Sequence, residues 1–156
     1  MQKLLRIILL FLIALFVVIQ LFQPEKNLGE ITSDHIFEQE KIQDEIKTVL
    51  ESACLDCHSN QTNYLWYHKI SPVSLMVNKH VVKGKEKLNF SEWGQMDVFD
   101  KIGVLEEICE EVEDRKMPIK AYVKMHKKAD LSKEQIAALC AWTEQLSEEL
   151  LTPNEN

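Results

Sequence analysis

The sequence predicts an all-α protein, a single helical domain preceded by one apolar N-terminal helix. Three observations carry this expectation. From Phe37 to Leu150 the apolar residues recur at intervals of three and four, the period of one helical face. Glycine and proline are scarce, four of each in 156 residues, and no repeat or low-complexity tract breaks the pattern. Helix-start signals stand where the pattern restarts, as at Ser71-Pro72 and at Ser132 with Gln135. The formal charge is −7 with the acids dispersed, which argues against nucleic acid as a partner, since that needs a basic face.

Residues 1–23 read as a membrane anchor. Ile7 to Phe22 contain one polar side chain, Gln20, and with Leu4 and Leu5 the apolar stretch approaches the roughly 30 Å hydrocarbon core. Lys3 and Arg6 precede it, so the positive-inside rule puts Met1 in the cytoplasm and exports the remainder. A cleaved signal peptide is the alternative. The bulky Gln20-Leu21-Phe22-Gln23 offers no small-x-small cleavage site, and no cysteine follows for lipid attachment.

Residues 24–34, with Pro24, Asn27, Gly29 and Thr32 to Asp34, read as a linker, and 35–151 as the domain. Phe37, Ile42, Ile46, Val49, Leu50 and Ala53 predict one helix running into Cys54. Ser71-Pro72 predicts the start of the next, which Val73, Met76, Val77, His80 and Val81 continue and Gly84 stops. Asn89 to Gly94 reads as a compact turn. Residues 96–114 predict a helix with Phe99, Ile102, Leu105, Cys109 and Val112 inward, and an acidic face of Glu106, Glu107, Glu110, Glu111, Glu113 and Asp114 outward. Pro118 breaks the pattern, and an irregular segment is expected as far as Asp130. The last helix opens on the Ser132/Gln135 capping box and buries Ile136, Leu139, Cys140, Thr143, Leu146 and Leu150, with Trp142 near its edge. Residues 152–156 read as a frayed polar tail.

The chemistry concentrates in Cys54-Leu55-Asp56-Cys57-His58, a C-x-x-C-H. This is the attachment signal for a c-type haem: two thiols reach one edge of a macrocycle to form thioethers, and the adjacent imidazole supplies the proximal iron ligand. Such haem is attached outside the cytoplasm in bacteria, in agreement with the expected export. Neither Cys109 nor Cys140 is followed by histidine, so one haem c is expected. Tyr64, Leu65, Trp66 and Tyr67 follow the motif closely. They read either as ordinary core or as rings walling the haem, with Trp66 and Tyr67 the pocket candidates.

A second axial ligand is sought among Met117, Met125, His126, His80, His68 and His35. Met117 is favoured: proline follows it, it lies between the last two helices, and 59 residues separate it from His58. Cys109 and Cys140 each fall on an apolar stripe and are expected as buried core thiols, with a mutual disulfide as the alternative in an oxidising compartment.

The ordered series Cys54-Leu55-Asp56-Cys57-His58-Ser59-Asn60 with Thr62, Trp66-Tyr67, Ser71-Pro72-Val73, Gly84, Leu88 to Trp93, Met117-Pro118 with Tyr122, His126, Ala129, Leu131-Ser132 and Trp142 resembles the bacterial haem-binding domain family. The likeness spans about residues 36–146. It implies a class I cytochrome c-like helical fold around one covalent haem at Cys54, Cys57 and His58, with Met117 as the natural distal ligand.

The functional expectation is a single-pass inner-membrane protein whose periplasmic domain carries electrons and performs no bond-making chemistry. Its redox protein partners would dock on the acidic face. A haem peroxidase or gas sensor would need an open distal site, for which His126 and Arg115 are the available acid–base groups. A zinc module would need two further ligands at zinc-like spacing, and a thioredoxin-like module needs strands the pattern lacks.

Overall fold

The computed structural model describes residues 1–152; positions 153–156 of the expected tail lie outside the described residues. The elements are helices α1 (Gln2–Ile19), α2 (Ile36–Gln39), α3 (Asp44–Ala53), α4 (Leu55–His58), α5 (Val73–Lys87), α6 (Val98–Glu113), α7 (Lys120–Met125) and α8 (Lys133–Leu151), with 3-10 turns at Trp66–Lys69, Phe90–Gln95 and Lys127–Ala129. Among the described residues there is no strand, only an isolated bridge between Leu28 and Gln61.

Helix α1 is 18 residues long, with mean hydropathy 2.5 and no residue buried against the protein. Its length of roughly 27 Å and its composition suit a membrane crossing. The segment expected as a linker is fastened to the domain. Asn27 Nδ2 donates to Ser59 O at 2.8 Å and to Thr62 Oγ1 at 3.0 Å, and Gly29 N–H donates to Asn60 O at 2.7 Å.

The core lies between α3, α6 and α8. Ile36, Ile46, Val49, Leu50, Phe90, Trp93, Leu105 and Leu139 are all essentially inaccessible, and burying one such side chain stabilises the fold by roughly 1.5–3 kcal/mol. Helices α6 and α8 lie side by side and are joined by a disulfide, Cys109–Cys140, with Cα atoms 4.9 Å apart. The expectation of two free core thiols is therefore corrected. The two stripes that carry them face one another, and the paired sulfurs are half-buried rather than fully inside.

Several local expectations change for physical reasons. The helix expected from Phe37 to Ala53 is broken at Glu40. There the chain turns extended, and Glu40 Oε1 accepts from Trp93 Nε1 at 2.8 Å while facing Lys101 Nζ at 3.7 Å. Phe99 is 80% exposed rather than inward, and Trp142 is buried rather than at an edge. Helix α5 starts at Val73, not Pro72, and runs through Gly84 to Lys87. Gly84 is a point of contact, not a stop. A Cβ there would stand 2.5 Å from Cys57 O, so only glycine lets α5 lie against the backbone of α4. The segment expected to be irregular up to Asp130 contains α7 and a 3-10 turn. The Ser132/Gln135 capping box forms as expected, its two bonds at 3.1 and 2.9 Å.

Two outcomes follow from this packing. Gly84→Ala should cost about 1–3 kcal/mol, the usual range for overpacking, because the obstructing atom is backbone. Gly103→Ala, with nothing within 4 Å of the added methyl, should instead stabilise α6 by about 0.5–1 kcal/mol; thermal melts of the two variants check the opposite signs. Replacing Cys109 and Cys140 together by alanine should cost about 3–4 kcal/mol, the chain-entropy value for a loop of this size. Denaturant titration measures that loss, and thiol counting on the unreduced, haem-free chain should find two reactive sulfurs, those of Cys54 and Cys57.

Candidate functional site

The last turn of α3 delivers Cys54, which ends that helix and opens α4. Helix α4 is one short turn, Leu55–His58, so Cys57 and His58 follow Cys54 around a single coil. Polar bonds fix this turn on all sides. Ser59 Oγ donates to Leu55 O at 2.8 Å, Thr62 Oγ1 donates to Asp56 O at 2.6 Å, and Asn60 N–H donates to Ser91 Oγ at 2.9 Å. Asn89 Nδ2 donates to Asn60 Oδ1 at 3.0 Å, tying the motif to the 3-10 turn beyond α5.

That connection sets the imidazole. His58 Nδ1 donates to Leu88 O at 3.1 Å, which directs Nε2 to the remaining bonding position, the arrangement metal-ligating histidines adopt. Burial lowers the His58 pKa, against the opposing influence of the Leu88 and Gly84 carbonyls and Glu107. A neutral ring with a free lone pair is the form a metal needs.

Cys54, Cys57 and His58 open into one cavity of about 490 Å³. Its walls are mainly apolar, with Phe90, Val104, Ile108, Val112 and Ile119 among them. At its solvent side stand Lys83 and Lys87 from α5 and Glu107 and Glu111 from α6. The two cysteines are free and half-buried. Burial, and then the neighbouring Cys57, pushes the Cys54 thiol up to about 12; burial, and then Asp56, pushes Cys57 up to about 11. A dithiol exchange centre works through a thiolate with a lowered pKa, so this environment disfavours that chemistry.

Met117 reaches the same cavity because of how α6 ends. Arg115 has φ 55°, the left-handed conformation that glycine usually supplies at the end of a helix. Arg115 N–H donates to Val112 O and Lys116 N–H to Glu111 O, a Schellman closure, and Arg115 Nη1 donates to Leu131 O at 2.7 Å. The chain then reverses, and Met117, Pro118 and Ile119 line the cavity.

The other candidates separate clearly. His80 lines the cavity from α5 and also a second one of about 300 Å³, which shares Asp56, Cys57, Ile119 and Tyr122 with the first. Met125 lines only the second. His126 lines neither: its ring stacks on Tyr122 at 3.9 Å, and the Tyr67 hydroxyl lies 3.1 Å from its Nε2. His68 lies on the second cavity, with Nδ1 accepting from Leu65 N–H at 3.0 Å. His35 caps α2 by accepting from Phe37 N–H. Tyr67 is buried and faces the second cavity, but Trp66 is 70% exposed and lines neither. The 3-10 turn buries one face only, and Tyr67 and His68 take it.

Sequence reasoning missed Tyr122 as a site residue. Its hydroxyl donates to Asp56 Oδ2 at 2.7 Å, inside the C-x-x-C-H itself. Burial and this bond push the Tyr122 pKa far up, so the hydroxyl stays a donor. The lysine pair was also missed, although its i, i+4 spacing on α5 was a visible signal.

No curated protein matches the chain, and no solved structure does. A family model described as a haem-binding domain matches residues 14–145. That range takes in every residue of the cavity and most of the sequence, and the chain belongs to the haem-binding domain family.

Proposed function

We propose that the chain is a membrane-tethered, single-haem c-type cytochrome that carries electrons on the exported side of a bacterial inner membrane. The observation that carries this reading is the convergence of two free thiols, an imidazole held through Nδ1, and a methionine in one mainly apolar cavity. Cys54 and Cys57 would form the thioethers, His58 the proximal ligand and Met117 the distal one. Lys83 and Lys87 would supply counter-charge to the propionates. Bound haem supplies one-electron chemistry; the protein's part is to fix the ligands, exclude water with Phe90, Val104 and Ile108, and keep the cavity mouth open to partners.

An electron carrier is favoured over a haem enzyme by the placement of the polar groups. Arg115 is committed to Leu131 O and His126 to the two tyrosines, so neither offers an acid–base group to the cavity. The exposed carboxylates of α6, Glu106, Glu110 and Glu113, lie on the helix that forms one wall, and suit docking by a basic redox partner.

Protein expressed with a haem-attachment system should stain for haem on a denaturing gel and show a c-type reduced-minus-oxidised spectrum. Replacing both Cys54 and Cys57 by alanine should abolish the stain; retention of covalent haem in that variant would refute the site. Met117→Ala should remove the thioether-to-iron absorption at the red edge of the ferric spectrum and open the iron to carbon monoxide. A spectrum unchanged by that substitution would transfer the distal role to His80, the other candidate lining the cavity.

A further inference from the structure

The foot of α1 is joined to the haem domain by a specific polar contact. Gln20 pairs with the backbone of Ser71 in both directions: Nε2 donates to Ser71 O at 3.0 Å, and Oε1 accepts from Ser71 N–H at 2.9 Å. Gln23 Nε2 donates to Ser71 Oγ at 3.1 Å, and Ser71 Oγ lies 3.2 Å from Phe22 O. Ser71 is fully inaccessible. An anchor on a loose tether would have no such joint.

The surface around the joint is apolar and exposed. Trp66 is 70% exposed, Ile70 37%, Val73 38%, Leu75 41% and Met76 57%. The same protein buries its other two tryptophans, Trp93 and Trp142, almost completely. Successive residues are 3.8 Å apart at most, so Ile70 and Val73 lie within about 8 Å of Ser71 along the chain. Outside the N-terminal helix and the segment after it, this is the stretch where exposed large apolar residues are densest.

We propose that this face, residues 66–76, lies in the headgroup–acyl boundary of the bilayer that α1 enters. The inference rests on reading α1 as an uncleaved membrane anchor. Helix α1 ends at Ile19, and Gln20 is the first polar side chain after it. The end of an 18-residue span sits at the boundary, and the hydrogen bonds of Gln20 and Gln23 hold Ser71 at that same level. Trp66 then occupies the depth at which tryptophan is enriched in membrane proteins. Lys69, between Trp66 and Ser71, meets anionic headgroups. The domain is thereby held in one attitude to the membrane.

The test uses full-length protein in vesicles of phosphatidylcholine and phosphatidylglycerol containing a phospholipid with a diazirine near the top of one acyl chain. After illumination, adducts are mapped by mass spectrometry. Adducts are expected in residues 2–22 and 66–76, and not in α6 or α8. Labelling of α1 with none at 66–76 overturns the docked face and leaves the anchor standing; absence of labelling from both overturns both. Gln20→Leu removes the two backbone bonds of the joint at a half-buried helix end outside the core, leaving those of Gln23 and Phe22. It should lower the ratio of adducts at 66–76 to those in α1 by at least about threefold, the factor for less than one ordinary hydrogen bond. An unchanged ratio would overturn the joint as what seats this face.

Discussion

The approach of two backbones at Gly84 and Cys57 is the constraint on which the site depends. Helix α4 is a single turn and cannot hold its own geometry, because four residues make too few internal hydrogen bonds to persist. It is held by what lies against it. With no side chain at Gly84, α5 comes within contact of the Cys57 carbonyl. The same helix then ends one turn later at Leu88, whose carbonyl receives His58 Nδ1. One close approach thus fixes the motif's backbone and the rotation of its imidazole together, and carries Lys83 and Lys87 to the cavity mouth. A larger residue at position 84 would disturb all three at once.

Around this contact the polar groups form a closed shell. Asp56 accepts from Tyr122 on one carboxylate oxygen and from the Asn63 N–H on the other, while its carbonyl accepts from Thr62. Asn27 bridges Ser59, Thr62 and Lys85. Among the described residues no buried side-chain nitrogen or oxygen lacks a partner. An unpartnered polar group beside an apolar cavity would cost roughly 1–3 kcal/mol, so satisfying each one locally allows the cavity walls to remain apolar. The shell also explains why the segment before the domain is not free: it supplies Asn27 to hold the loop that follows His58.

What the sequence made legible, and what it hid, divides along the range of the forces involved. The C-x-x-C-H, the capping box at Ser132 and most of the stripes of α6 and α8 are local patterns and appear where periodicity or spacing put them, with Phe99 and Trp142 the exceptions. Met117 was legible as a loop methionine because Pro118 marks the break. Gly84 was misread because glycine's lack of a side chain has two uses, ending a helix and admitting a neighbour. Only the position of Cys57 decides between them. The break at Glu40 was invisible for the same reason: Trp93 and Lys101, which draw its carboxylate away, are more than fifty residues distant in sequence. Pairing of Cys109 with Cys140 required knowing that their stripes face each other. Trp66 looked like a pocket ring because its neighbours are aromatic, but composition does not say which side of a 3-10 turn is inside.

The charges at the cavity mouth bear on how a partner would meet it. Lys83 and Lys87 on α5 face the same opening as Glu107 and Glu111 on α6, each pair one helical turn apart. Glu111 and Asp114 are in turn drawn to Lys116, at 3.6 and 2.7 Å. The two lysines are the nearest cations to carboxylates entering from the solvent side, so a ligand with acidic arms would neutralise them. Glu107, which has no ion pair among the described residues, would then be the least compensated charge at the rim. Screening at physiological salt limits its field to about 8 Å, so it acts on a partner already close to the opening and selects its orientation.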